Sequence, residues 1–327
     1  MKKKSEIIYY IKGWAIISVI CAHCNSVLMD ACYFSKKSSL LLQNIGTYGV
    51  ICFFVISGFL FHINNDKCIF FKQKLLKICV PWWISSTIVY LYVHLRKPPI
   101  SVKELTMFVL GKGSYCYYLT VLMTLYVIFF LCPIMRRKKS LFICEVVTII
   151  SILKFFAIGL IGPYLNVLNW IGYFAAGISL NADKKKINNI ERYIKKYGIM
   201  YLILWLIMLM YRIYTNESGS YWGGKNVINC IMGAIAIVDI AVLQNQRKWK
   251  INRIIKYIGY NSFFIYLWHM PFAGIIANIM NRGSLSYFVF VRPVLVLIIV
   301  CLIKKILEIF ISFSGKNLYW IVGINRS

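Results

Sequence analysis

Residues 2–28 read KKKSEIIYYIKGWAIISVICAHCNSVL. Three lysines lead into an apolar run, Ile7–Leu28, long enough to cross the roughly 30 Å hydrocarbon core of a bilayer as a helix. In lipid the backbone groups of a spanning segment must pair within that segment, which makes it helical. Further apolar runs, separated by short basic segments, follow along the chain, so this first run is expected to be a retained span and not a cleaved leader; no small-x-small cleavage site follows it. The reading is all-α: a polytopic membrane helix bundle with about ten transmembrane helices and both termini cytoplasmic. The expected spans are Ile7–Leu28, Ile45–Phe61, Leu75–Leu95, Tyr117–Ile134, Leu141–Ile161, a sixth that follows a Gly162-Pro163 turn and ends at Leu180, Gly198–Tyr214, Val227–Leu243, Ile255–Ile279 and Tyr287–Ile303. The tail after Lys304 reads as an amphipathic cytoplasmic end. Residues 1–327 form one integral-membrane domain in this reading, with no repeat and no fused soluble domain.

Composition and charge agree. Of 327 residues, 60% are hydrophobic, and the mean hydropathy is +0.69; a soluble domain is usually about 45–50% apolar. The net charge of +28 does not point to nucleic acid, because the Lys and Arg residues lie between apolar runs, as cytoplasmic loops require. Lys67, Lys72, Lys74 and Lys77 follow the second span, Arg136, Arg137, Lys138 and Lys139 the fourth, Lys184, Lys185, Lys186, Lys195 and Lys196 the sixth, and Arg247, Lys248, Lys250 and Arg253 the eighth. Lys36, Lys37, Arg96, Lys97 and Lys103 lie in the intervening loops and reduce the contrast. The 11 cysteines lie largely inside apolar runs, and Cys21 and Cys24 lack a second ligand pair, so no metal is expected.

Ionisable groups within spans are candidate sites. Lys12 and His23 are eleven residues apart on one helix face, separated by about 16 Å. That places a cation at the cytoplasmic mouth and an imidazole deep in the membrane, an arrangement suited to a long donor with a phosphate-bearing head. It equally suits a lysine snorkelling to the interface and a histidine bonded to a neighbouring helix, and spacing leaves both readings open. In FFKQKLLKICVPWW, residues 70–83, Lys74 and Lys77 are three apart on one face ahead of Pro81. In GYNSFFIYLWHMPF, residues 259–272, Ser262, Tyr266 and His269 form a polar stripe before Pro271, which is expected to kink or break the helix. Ser57-Gly58 in FFVISGFLF permits close helix approach. Glu145, Lys154, Arg212 and Asp239 are further intramembrane ionisable groups.

In order along the chain, these segments resemble the membrane acyltransferase-3 family, bacterial O-acyltransferases of cell-surface sugars. The residues that carry the resemblance are Lys12 and His23 with Asn25; Phe53, Phe54, Ser57, Gly58 and Phe59; Lys74, Lys77 and Pro81; Tyr118, Leu119 and Tyr126; NWIGYFAAGISL at 169–180; and SFFIYLWHMPF at 262–272. The resemblance implies transfer of an acyl group, by family habit acetyl, from acyl-CoA to a hydroxyl of a surface carbohydrate or its lipid-linked precursor, in the bacterial cytoplasmic membrane. It implies that Lys12, Lys74 and Lys77 hold donor phosphates, with Ser57 among the donor-binding residues. His23 would lie where thioester meets hydroxyl, with Asn25, Ser262, Tyr266 and His269 orienting it or stabilising the oxyanion. Direct transfer and an acyl-histidine intermediate are both allowed. The family's arginines at 12, 74 and 77 are lysines here, which bind phosphate as point charges and not as forks. A transporter or flippase of a glycan intermediate, or a non-enzymatic assembly partner, are the competing classes.

Overall fold

In the computed structural model, fourteen α-helices are described: α1 (Lys2–His23), α2 (Tyr33–Gly46), α3 (Tyr48–Phe59), α4 (Lys67–Lys74), α5 (Val80–His94), α6 (Val102–Val109), α7 (Tyr117–Leu131), α8 (Lys138–Ile152), α9 (Leu168–Ala182), α10 (Lys184–Tyr214), α11 (Gly224–Gln246), α12 (Ile251–Tyr260), α13 (Ser262–Asn281) and α14 (Arg292–Phe313). A π-helical turn, Leu75–Cys79, joins α4 to α5, and 3₁₀ turns occupy Pro133–Arg136 and Ser284–Val291. The structure describes all residues other than 1, 29, 63–66, 95–100, 154–161, 220–223, 248–249, 282–283, 314–317 and 325–327. No strand occurs among the described residues. The chain divides into two units, Met1–Cys52 with Glu191–Ser327, and Phe53–Ile190.

In the first unit α1 packs against α2, α11, α12, α13 and α14. Helices in lipid associate through close backbone approach at small residues, and α1 is built for this. A Cβ on Gly13 would overlap the carbonyl oxygen of Ile255 in α12, and one on Gly259 the carbonyl oxygen of Tyr9. Ser18 performs a second task at the α2–α3 break. Its hydroxyl donates to Ile45 O at 2.6 Å and accepts from Gly49 N at 2.8 Å. Those two backbone groups would pair directly in an unbroken helix, so the serine is inserted into the ladder.

The second unit uses the same device. Thr148 Oγ1 on α8 donates to Leu168 O at 2.7 Å and accepts from Gly172 N at 2.7 Å on α9. The end of α3 lies against α9, with Gly58 over Phe174 O and Gly177 over Val55 O, where any side chain would collide. Two aromatic groups flank that contact: Phe54 with Tyr118 and Trp170, and Phe61 with Tyr126, Phe129 and Phe174.

Several boundaries differ from expectation. Six helices are long and apolar enough to cross a membrane among the described residues: Glu6–His23, Tyr33–Phe59, Lys72–His94, Lys185–Tyr214, Asn226–Gln246 and Ser262–Asn281. Helices α7, α8 and α9 have 15 residues each, about 22 Å of rise, which is short of the hydrocarbon core. α14 has the length but carries Arg292, Lys304, Lys305 and Glu308. It continues to Phe313, so Lys304 is inside a helix, paired with Glu308 at 2.6 Å, and does not open a separate tail. The expected ninth span breaks at Asn261, between α12 and α13, and α13 runs on through Pro271. α1 ends at His23, five residues short of Leu28, with an irregular stretch after it. The last part of the expected fifth span, from Lys154, lies outside the described residues.

The Gly259 contact is testable. Gly259→Leu forces the α1–α12 backbones apart and is expected to lower stability by about 1–3 kcal/mol or more. Gly274→Ala in α13, whose Cβ would meet nothing within 4 Å, is expected to raise it by about 0.4–1 kcal/mol. Thermal unfolding of the detergent-solubilised variants checks both.

Candidate active site

α1 and α13 lie together in the first unit, and their packing brings two histidines face to face. The rings of His23 and His269 are 5.1 Å apart between centroids and tilted by 51°. His23 is the last residue of α1 and half-buried, and His269 is fully buried at 0% exposure. His269 Nδ1 lies 2.8 Å from the carbonyl oxygen of Tyr266. A carbonyl oxygen only accepts, so Nδ1 carries the proton, and in the neutral ring Nε2 is the lone-pair nitrogen. Tyr266 thus supports His269 through its backbone, while its ring packs 5.9 Å from the imidazole. Ser262, Tyr266 and His269 are all buried, so the polar stripe on α13 faces protein.

Asn25 ends α1: its amide nitrogen donates to Ala22 O at 3.0 Å, and its carbonyl oxygen accepts from Ser39 Oγ at 2.5 Å. Lys12 is half-buried and forms no ion pair or hydrogen bond with described residues. Glu6, the acid of the same helix, is engaged by Lys256 at 2.6 Å. Trp14, two residues past Lys12, donates from its indole to Gln244 Oε1 at 2.8 Å.

Within the second unit, Lys74 sits 4.2 Å over the ring of Tyr126, a cation–π contact. Ser57 Oγ lies 3.3 Å from Tyr118 Oη. Lys77 is exposed. The expected common face of Lys74 and Lys77 rests on α-helical spacing, but the turn from Leu75 to Cys79 is π-helical. Its wider rings rotate side chains three apart away from each other, and such turns recur at functional sites.

The family comparison decides among the function classes. The family model described as an acyltransferase domain matches residues 6–304. The chain belongs to the membrane acyltransferase-3 family. No curated protein and no solved structure matches it. The acyltransferase match runs through both units and spans all eight expected site residues, from Lys12 to His269. The protein is a multi-pass membrane acyltransferase.

The remaining intramembrane ionisable groups of this acyltransferase sort by their partners. Arg212 is 4% exposed and fully engaged. It donates to Asn44 Oδ1 at 2.8 Å, to Glu217 Oε2 at 2.7 Å, to Ser218 O at 3.1 Å and to Asn226 Oδ1. Asp239 is buried beside Gly198 of α10. Glu145 is half-buried within reach of the Lys186 charge. Lys154 lies outside the described residues. Among the described residues no group of three or more His, Cys, Asp or Glu is placed to hold a metal ion. Arg292 and Asn281 were not among the expected site residues, although a lone arginine in the apolar run after Tyr287 was there to be read.

Arg212 is a structural group, because every arm of its guanidinium ends on protein. Arg212→Met strands those partners and is expected to cost about 3–5 kcal/mol of stability, with activity per folded molecule kept. Thermal unfolding and turnover of the same purified variant check this.

Proposed function

We propose that the protein transfers an acyl group, acetyl before longer chains, from acyl-CoA to a hydroxyl of a cell-surface carbohydrate or its lipid-linked precursor, within a bacterial cytoplasmic membrane and with both termini on the cytoplasmic side. The observation that carries this reading is the His23–His269 pair, held by two packed helices of an acyltransferase. Lys12 supports the choice of donor: a half-buried ammonium with no counter-ion among the described residues suits a phosphate. Lys74, steadied on Tyr126, Lys77 and Ser57 are the further donor-binding residues in this reading.

In the proposed step a neutral His23 accepts the proton of the acceptor hydroxyl as its oxygen attacks the thioester carbonyl carbon. The C–S bond breaks, and the proton passes to the departing thiolate, leaving an ester and free CoA. His269, with its tautomer set by Tyr266 O, holds the first imidazole in orientation, and Asn25 fixes the end of the helix that carries it. The acyl-histidine route uses the same residues, with a ring nitrogen as the attacking atom.

Two outcomes test the reading. His23→Ala is expected to lower kcat by about 10²–10⁴, read as loss of O-acetyl signals in the NMR spectrum of surface glycans from a deletion strain carrying the variant. Wild-type ester levels with His23→Ala would remove the residue from the chemistry. Lys12→Gln is expected to raise KM for acetyl-CoA by about tenfold or more, the loss of one charged hydrogen bond, with Lys12→Arg close to wild type. Initial rates of the purified protein with labelled acetyl-CoA read the difference.

A further inference from the structure

Arg292 opens α14 and is fully buried, at 0% exposure. Three features make it an expensive residue to keep. It is a cation inside an apolar helical unit. It stands at the positive end of a helix dipole, where a cation is disfavoured. No carboxylate among the described residues pairs with it; its partners are dipoles. Nη1 donates to the carbonyl oxygen of Ser26 and Nη2 to Asn281 Oδ1 at 2.5 Å, while the buried Nε–H has no partner among the described residues. Cys24, next to His23, lies within reach of its charge.

The two partners explain the expense. Ser26 lies three residues past His23, in the irregular stretch that leaves α1. Asn281 is the last residue of α13, the helix that carries His269. Pro293 follows directly in the first turn of α14, where its ring is tolerated and fixes the backbone. A rigid guanidinium fork on a fixed helix start therefore joins the distal ends of the two histidine-bearing segments. Lysine, a single point donor on a flexible stem, does not reproduce such a fork.

We propose that Arg292 is a positioning residue of the acyl-transfer site, which clamps Ser26 to Asn281 and so holds His23 and His269 at their working separation. The proposal rests on the reading of His23 as the acting base. Arg292 acts on the geometry of the histidines and not on the donor's phosphates, so its loss falls on kcat and leaves KM for acetyl-CoA nearly unchanged. A misplacement of about 1 Å at a reacting group costs on the order of 10²-fold.

The test uses the full-length protein in nanodiscs with Arg292→Lys, Arg292→Gln and Asn281→Ala, the last removing one arm of the clamp while keeping the charge, so that one probe remains if an arginine variant fails to fold. Turnover with acetyl-CoA is read together with carbethoxylation of the 4 histidines by diethyl pyrocarbonate, followed by peptide mass spectrometry. The expected result is a kcat lower by about 10²-fold in both arginine variants and by about tenfold in Asn281→Ala, with KM within about threefold. His23 and His269 are expected to react several-fold faster, with His62 and His94 unchanged. Wild-type kcat in either arginine variant overturns the proposal, as does an equal rise at all four histidines, which marks general loosening. If the wild type itself turns over no acetyl-CoA, the proposed function fails on its own, and the selective change at His23 and His269 still decides the clamp.

Discussion

Hydrocarbon gives a helix no reason to leave lipid for another helix except packing and hydrogen bonds, so the closeness of α1 to its neighbours is the constraint on which the histidine-bearing unit depends. Gly13 against Ile255 O and Gly259 against Tyr9 O let the backbones of α1 and α12 meet without side chains between them. α13 follows α12 after a break at Asn261. The approach set low on α1 is therefore inherited by α13, and it is this that carries the buried His269 to within 5.1 Å of His23. Larger side chains at the two glycines would separate the helices at their point of contact and carry the second imidazole away with α13.

Close approach creates a second requirement, because a helix that bends to meet a neighbour leaves backbone groups unpaired where no water can reach them. Each unit meets this with a hydroxyl. Ser18 bridges Ile45 O and Gly49 N, and Thr148 bridges Leu168 O and Gly172 N. In both cases the hydroxyl belongs to a different helix from the one it repairs, so a single side chain satisfies one helix's backbone and fixes its position against a neighbour. Asn25 does related work at the end of α1, spending its amide on Ala22 O while Ser39 holds its carbonyl.

Much of this could be read before the fold was known, because hydropathy reports how much of a helix faces lipid. α1, α11 and α13 are apolar along most of their length, and Lys12, His23 and His269 stand out in them by contrast. α2 escaped the same reading because Ser35, Ser38, Ser39 and Asn44 are its buried face; a helix that turns polar groups inward looks like a loop when only composition is judged. The helix break fell at Asn261 and not at Pro271 for a related reason. Proline removes one donor, which neighbouring groups can offset within a bundle, whereas the break at 261 answers to the demands of packing α12 on α1, which no local propensity records. The turn that carries Lys77 is of the same kind: spacing implies a shared face with Lys74 only while the helix stays α, and the π turn from Leu75 to Cys79 has no signature in residue type.

The intramembrane charges show why counting ionisable residues does not by itself locate a site. Arg212 and Arg292 are both buried arginines in the same unit, yet they stand in different situations. Arg212 meets a carboxylate, two amide oxygens and a backbone carbonyl, and its charge is answered within the protein. Among the described residues Arg292 meets a carbonyl and an amide oxygen and no carboxylate, keeps one donor unpartnered, and sits at the wrong end of a helix dipole. A group so placed adds little stability by itself, since a buried charge without a counter-charge is a net cost. The cost is understandable when the two groups it joins are the distal ends of the histidine-bearing segments, because the separation of two imidazoles is a geometric quantity that a forked, rigid donor can hold and a single flexible one cannot.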